Sequence, residues 1–165
     1  MKITDNIDEL FDQEFLITNG IGGYASASIS FANTRKYHGL LISTSNPPTE
    51  RNVIVHKLEE RLIVDGKIVE LSTNKFGDTV APQGYHFLES FERQPIAKWA
   101  YKADSWSLDK EIMMVPNSNT TIVRYTNTSK ADLEIELHPL FTHRDYHSNL
   151  HENHFDFYYL SLIHI

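Results

Sequence analysis

Short apolar runs separated by turn-forming residues follow one another from Thr49 to the end of the chain, and that rhythm restricts the folds open to it. Leu62-Ile63-Val64 and Lys67-Ile68-Val69 flank Asp65-Gly66, a pair suited to a two-residue type I′ hairpin turn. Further strands are expected over residues 84–91, 96–103, 106–115, 120–126 and 131–139. Ala97, Trp99 and Tyr101 fall on one face opposite Lys98. Leu133, Ile135 and Leu137 point away from Glu134 and Glu136. Turn signals recur at 103–105, 116–119 and 127–130, while Asn46-Pro47-Pro48 and Ala81-Pro82-Gln83-Gly84 mark loops. Strands this short and this closely spaced predict an all-β, antiparallel β-sandwich rather than βαβ units. Helix is confined to one turn at residues 7–11, with residues 143–153 open to either helix or loop.

With 165 residues and no linker, repeat or low-complexity tract, residues 1–165 read as one domain with room for a substantial core. The net charge of −7 argues against sequence-independent nucleic-acid binding, which needs clustered Lys and Arg. Without cysteine there is no disulfide and no thiolate zinc site. Two acidic residues stand where the apolar part of an export signal would begin, and no apolar run approaches the ~20 residues of a membrane span. A cytoplasmic location is expected, with no nucleic-acid or membrane partner. The Asn-X-Ser/Thr matches at Asn119 and Asn127 are accordingly read as chance.

The most concentrated chemistry lies between Glu14 and Ser43. Asn19-Gly20-Ile21-Gly22-Gly23-Tyr24 forms one polar cluster and Asn33-Thr34-Arg35-Lys36-Tyr37-His38-Gly39 a second. Residues 24–31, between them, read as a strand, so both clusters sit near strand ends. Gly20, Gly22 and Gly23 are expected to build a bulge or turn that aims Asn19 and Tyr24 at a ligand. Their spacing is not a dinucleotide fingerprint. If the second cluster is extended, Arg35 and Tyr37 share one face and Lys36 and His38 the other. Arg35 then offers a fork of donors to vicinal hydroxyls, or pairs internally with an acid; the two readings stand level. Tyr37 offers a stacking face, and His38 reads as a structural histidine. Planar donors with aromatic faces suit a polar ring such as a sugar.

These blocks resemble the N-terminal domain of bacterial and archaeal glycogen debranching enzymes of the amylo-alpha-1,6-glucosidase type. The resemblance rests on Glu14-Phe15-Leu16, Thr18-Asn19-Gly20, Gly22-Gly23-Tyr24-Ala25-Ser26 and residues 33–41. It extends to Lys57-Leu58-Glu59-Glu60, Val64-Asp65-Gly66, Pro139-Leu140 and His143-Arg144-Asp145-Tyr146-His147-Ser148. It implies a large β-sandwich (supersandwich-like) that packs on a C-terminal (α/α) barrel carrying the catalytic acids, and a branched alpha-glucan substrate, glycogen or limit dextrin, hydrolysed at alpha-1,6 branch points. Arg144, Asp145, Tyr146 and His147 would then form a fixed loop facing the catalytic domain. The implied domain is somewhat longer than this chain, so truncation at the C-terminus is expected, with residues 155–160 a further strand and the last five residues of doubtful origin.

No catalytic residue is assigned, because Glu59, Glu60, Glu89, Glu92, Asp145, Glu152 and Asp156 show no pairing that sequence distinguishes from solvated charge. His143, His147 and His151 would line one face if their segment were helical, with Asp145 or Glu152 adding a carboxylate; the pattern is not HExxH, and neither metal nor cofactor is expected. The binding or cleft-shaping candidates are Asn19, Gly20, Gly22, Gly23, Tyr24, Arg35, Tyr37, His38, Arg144, Asp145, Tyr146 and His147. Two rival readings are a free-standing carbohydrate-binding module, which needs Tyr24, Trp99 or Trp106 exposed on a platform, and a structural interaction module without catalysis.

Overall fold

The computed structural model describes Ile3 and residues 6–149. It is almost entirely antiparallel β structure, as the turn spacing predicts. A short helix, α1 (Ile7–Asp12), opens the described chain. Asn6 caps it by accepting the Asp8 amide at 3.1 Å, and Leu10 and Phe11 bury its inner face.

Six strands form the larger sheet: β1 (Glu14–Thr18), β2 (Tyr24–Ser28), β3 (Gly39–Asn46), β4 (Thr49–Val64), β5 (Lys67–Glu70) and β12 (Glu134–Asp145). Their order is β1-β2-β3-β4-β12. At 16 residues β4 outruns its neighbours, so β3 pairs with its first part and β5 with its last, while β12 runs along its other edge. The β4–β5 connection is the expected two-residue hairpin, with Asp65 and Gly66 at φ 50° and 73°. The second sheet has the order β11-β10-β9-β8, from β8 (Leu88–Glu92), β9 (Ala97–Lys102), β10 (Ser107–Met114) and β11 (Thr121–Asn127). β6 (Thr73–Phe76) and β7 (Thr79–Gln83) make a separate hairpin.

The core lies between the two sheets, around Trp99. Phe15, Phe31 and Phe91 surround its ring at centroid distances of 4.8, 4.6 and 4.9 Å, and its indole N–H donates to the Ile29 carbonyl at 3.0 Å. The period-2 pattern of β9 and β10 explains the packing: Ala97, Trp99 and Tyr101, then Leu108, Ile112 and Met114, all face inward. Lys110 occupies a core position in the same register and is fully buried. Its ammonium meets Glu60 of the opposite sheet at 2.6 Å and lies 3.5 Å from the centroid of Phe31. The Tyr125 hydroxyl donates to the same carboxylate. Glu60, which sequence could not distinguish from solvated charge, is thus a buried counter-ion.

Several expectations are corrected. The strand at 24–31 stops at Ser28, because the chain turns at Ile29–Ser30 and Phe31 takes φ 61°. Residues 84–91 begin as a 3-10 turn, Gly84–Phe87, before β8. Residues 33–38 are loop and turn, not strand, so the shared faces expected of Arg35 with Tyr37 and of Lys36 with His38 do not exist. Residues 143–145 end β12 and 146–149 are turn and coil, which removes helical alignment of His143 and His147; His151, Glu152 and the strand expected at 155–160 lie outside the described residues. Leu137, expected inside, is 43% exposed. Trp99 and Trp106 are buried, so neither belongs to an exposed aromatic platform.

Candidate functional site

The turn between β1 and β2 is the first wall of the site. Gly20 and Gly22 hold φ of 82° and 104°, a region L side chains seldom enter. Gly22 also has no room for a side chain, since a Cβ would lie 2.5 Å from the Pro48 carbonyl oxygen. Asn19 locks the turn from behind. Its side chain accepts the Ile21 amide at 3.1 Å and donates to the Ser118 carbonyl at 3.0 Å and to Asn119 Oδ1 at 3.2 Å. Asn119 in turn spans Thr44 of β3, accepting its amide and donating to its carbonyl at 3.1 and 2.9 Å. Two side-chain amides, the buried Asn19 and the more exposed Asn119, therefore join the larger sheet to the β10–β11 turn.

The second wall is the 33–38 loop, folded around a fully buried His38. Its Nδ1 accepts the Thr34 and Arg35 amides at 3.1 and 3.4 Å, so the ring proton sits on Nε2 and is donated to Glu14 Oε1 at 3.0 Å. Burial lowers the pKa of this ring despite the opposing carboxylate. Arg35 reaches the same Glu14 oxygen at 3.2 Å from an exposed position. Arg35 is thus paired with an acid, but it is not buried: most of its side chain faces solvent.

The third wall is the turn after β12. Asp145 accepts the His147 amide at 2.8 Å, and the Ser148 amide closes on the Asp145 carbonyl at 3.0 Å. Arg144 donates to the carbonyls of Lys36 and Ser148, fastening this turn to the second wall. Tyr37 meets His147 Nδ1 at 3.2 Å, and Tyr24, whose pKa is raised by burial, donates its hydroxyl to the Tyr37 carbonyl at 3.0 Å. Arg51 of β4 binds the Gly22 carbonyl at 2.6 Å and the Tyr146 hydroxyl at 3.3 Å, bridging first wall and third.

Between the walls lies an open cleft of about 680 Å³. Gly20, Gly22, Gly23, Tyr24, Arg35, Tyr37 and Tyr146 line it. Asn19 and His38 stand behind its walls with their polar atoms engaged, rather than aimed at its contents. Arg144, Asp145 and His147 brace the adjoining turn.

Comparison with known protein families gives a match over residues 13–161, to the family described as glycogen debranching enzyme N terminal. The chain belongs to that family. No curated protein and no solved structure matches it. The family match takes in all three walls of the cleft.

In this debranching-enzyme N-terminal domain, two charged lining residues, Glu14 and Arg51, escaped the sequence reading of the site. Glu14 had a visible signal: it heads β1, where Glu14, Leu16 and Thr18 alternate onto the cleft side. Arg51 had none, because its partners come from the turns on either side of β4 and only the tertiary fold assembles them. Among the described residues Glu14 is the single carboxylate lining the cleft, whereas glycoside hydrolysis requires two, about 5–10 Å apart. No group of three or more His, Asp or Glu side chains suited to a metal ion occurs among the described residues. No helix among them is long and apolar enough to cross a membrane.

Proposed function

We propose that this chain is a single N-terminal β domain of a cytoplasmic debranching glucosidase that hydrolyses alpha-1,6 branch points of glycogen or limit dextrin. In this reading the cleft forms one wall of the glucan path, and a helical (α/α) barrel of the same enzyme supplies both catalytic carboxylates. The observation that carries it is convergence: residues from three distant stretches, all within the family match, line one cleft. Tyr24, Tyr37 and Tyr146 supply faces for the C–H surface of a pyranose, and Arg35 and Arg51 supply forked donors for its hydroxyls. Catalysis then requires docking of the barrel, and this domain contributes positioning, a route by which remote contacts lower a barrier.

The test is an NMR titration of the 165-residue chain, tyrosine-labelled, with a maltooligosaccharide bearing one alpha-1,6 branch. Shifts at Tyr24, Tyr37 and Tyr146 with none at buried Tyr101 are expected. Silence at all three tyrosines up to millimolar ligand would remove the cleft from the glucan path. The free-standing binding module is the weaker reading, because two of the three aromatics it relied on are buried.

A further inference from the structure

A second cleft lies on the other side of the 33–38 loop, and its chemistry differs from that of the first. Its volume is about 570 Å³, within the usual range of small-molecule sites. Arg35, Lys36 and Arg144 line it, and among the described residues no Asp or Glu does, in a chain whose net charge is −7. Two of these cations are held by backbone carbonyls and form no ion pair among the described residues, although Asp145 attracts the Arg144 charge from nearby. Lys36 Nζ donates to the His147 carbonyl at 2.7 Å, and Arg144 donates to the carbonyls of Lys36 and Ser148. Backbone carbonyls fix such groups in place but carry no formal charge to cancel theirs.

Two neutral groups of the lining add to this. Thr142 is buried, yet its hydroxyl has no hydrogen-bond partner among the described residues, which is uncommon for a buried polar atom. His56 accepts from the Asn33 amide at Nε2, 3.2 Å away, and Asn33 also holds the His56 carbonyl at 2.9 Å. The His56 ring proton is thereby left on Nδ1, making it a neutral donor. Burial first, then the charges of Arg144 and Lys57, push its pKa down to about 4, so the ring stays neutral in a positive field.

From this arrangement we propose that the cleft lined by Lys36, Arg144 and Thr142 is a binding site for a phosphate-class oxyanion, either the free ion or the phosphate monoester of a small molecule such as a sugar. Fixed cations supply the charge, and the unmatched Thr142 hydroxyl supplies a donor whose desolvation the bound oxyanion would compensate. The volume far exceeds what a bare oxyanion needs, which favours a monoester with its organic part beside Leu140 and Phe141. The inference is independent of the glucan cleft, which lies on the other face of the loop and shares only Arg35 with it.

The experiment is calorimetric titration of the 165-residue chain at low ionic strength with glucose 6-phosphate, inorganic phosphate and glucose. Glucose 6-phosphate is expected to bind and glucose to give no heat attributable to this cleft. Binding is expected to weaken about tenfold in Lys36→Ala, which removes one charge-assisted contact. Thr142→Val should weaken it several-fold while leaving the melting temperature unchanged or raised, because the substitution removes an unpaired hydroxyl at constant shape. Tighter binding of the monoester than of inorganic phosphate assigns the monoester as ligand, and equal binding assigns the free ion; both support the site. Absence of binding by either anion, or binding that neither substitution alters in a variant that stays folded, overturns it.

Discussion

The interior between the sheets and the cleft beside the β1–β2 turn use the same residue types to opposite ends. Inside, Lys110 and Glu60 pair with almost no solvent access beside a partly buried Tyr125; at the cleft, Arg35, Glu14 and Tyr37 converge nearer the solvent. An interior pair cannot exchange its partner for water, so its value is conditional on both members being present. An exposed pair exchanges readily, contributes little to stability, and leaves its groups available to a ligand. Burial, rather than residue identity, separates a structural charge from a binding charge here.

The largest effect that would break this contrast is at the interior pair. Lys110→Met strands the Glu60 carboxylate in the core and should cost about 3–5 kcal/mol of stability. Urea unfolding monitored by Trp99 fluorescence measures it. Adding Glu60→Leu should recover much of the loss, since an apolar pair of similar volume can replace a buried ion pair. A single-variant loss below about 1 kcal/mol would mean that the two charges are solvated, and the contrast would fail.

How much of this was legible beforehand follows from the same contrast. The sandwich was readable because turn chemistry and period-2 alternation are local, as at Asp65-Gly66 and along Ala97-Trp99-Tyr101. The burial of Lys110 was also encoded locally, by its parity with Leu108 and Ile112, although a lysine at a core position is read as exposed unless that parity is followed. Part of the cleft lining, from Gly20 to Tyr24 and at Arg35 and Tyr37, was legible from the glycine and asparagine clusters. Arg51 was not, because its role arises from two chain segments that flank it only after folding. The extended reading of 33–38 failed for a further reason: His38 satisfies two loop amides itself, so the segment needs no strand partner. Asn119 was masked by its place in a turn sequence, where asparagine is common for purely local reasons.

His56 sharpens the comparison because it stands at the boundary, beside Lys57 and Lys110 on one side and the basic cleft on the other. Its folded pKa of about 4 lies below the unfolded value of 6.5, so between these values the unfolded chain binds more protons. Stability should therefore rise with pH across this window and flatten above it. The His56 share amounts to about 2 kcal/mol lost between pH 7.5 and pH 5. His38, with its pKa lowered by burial, adds in the same direction. Urea midpoints across this range check the slope, and His56→Gln should reduce it. Equal stability of the parent chain at pH 7.5 and pH 5 would place His56 with the solvated groups.

The smallest effect on stability, and the one that defines the cleft, is expected at Arg35. More than half of its side chain is exposed, so Arg35→Ala should shift the unfolding free energy by less than about 0.5 kcal/mol. Affinity for a branched maltooligosaccharide should fall about tenfold, because a forked donor is lost where a pyranose would lie. Arg35→Lys should recover little of that affinity, since an ammonium cannot span two vicinal hydroxyls as a guanidinium does. Full rescue by lysine would assign Arg35 a role as a point charge beside Glu14. A stability loss above about 2 kcal/mol with unchanged affinity would move Arg35 to the structural side, because the Glu14 contact would then be holding the 33–38 loop and not presenting it. The pairing of a small stability change with a large affinity change is thus the signature that separates an open charge from a buried one in this fold.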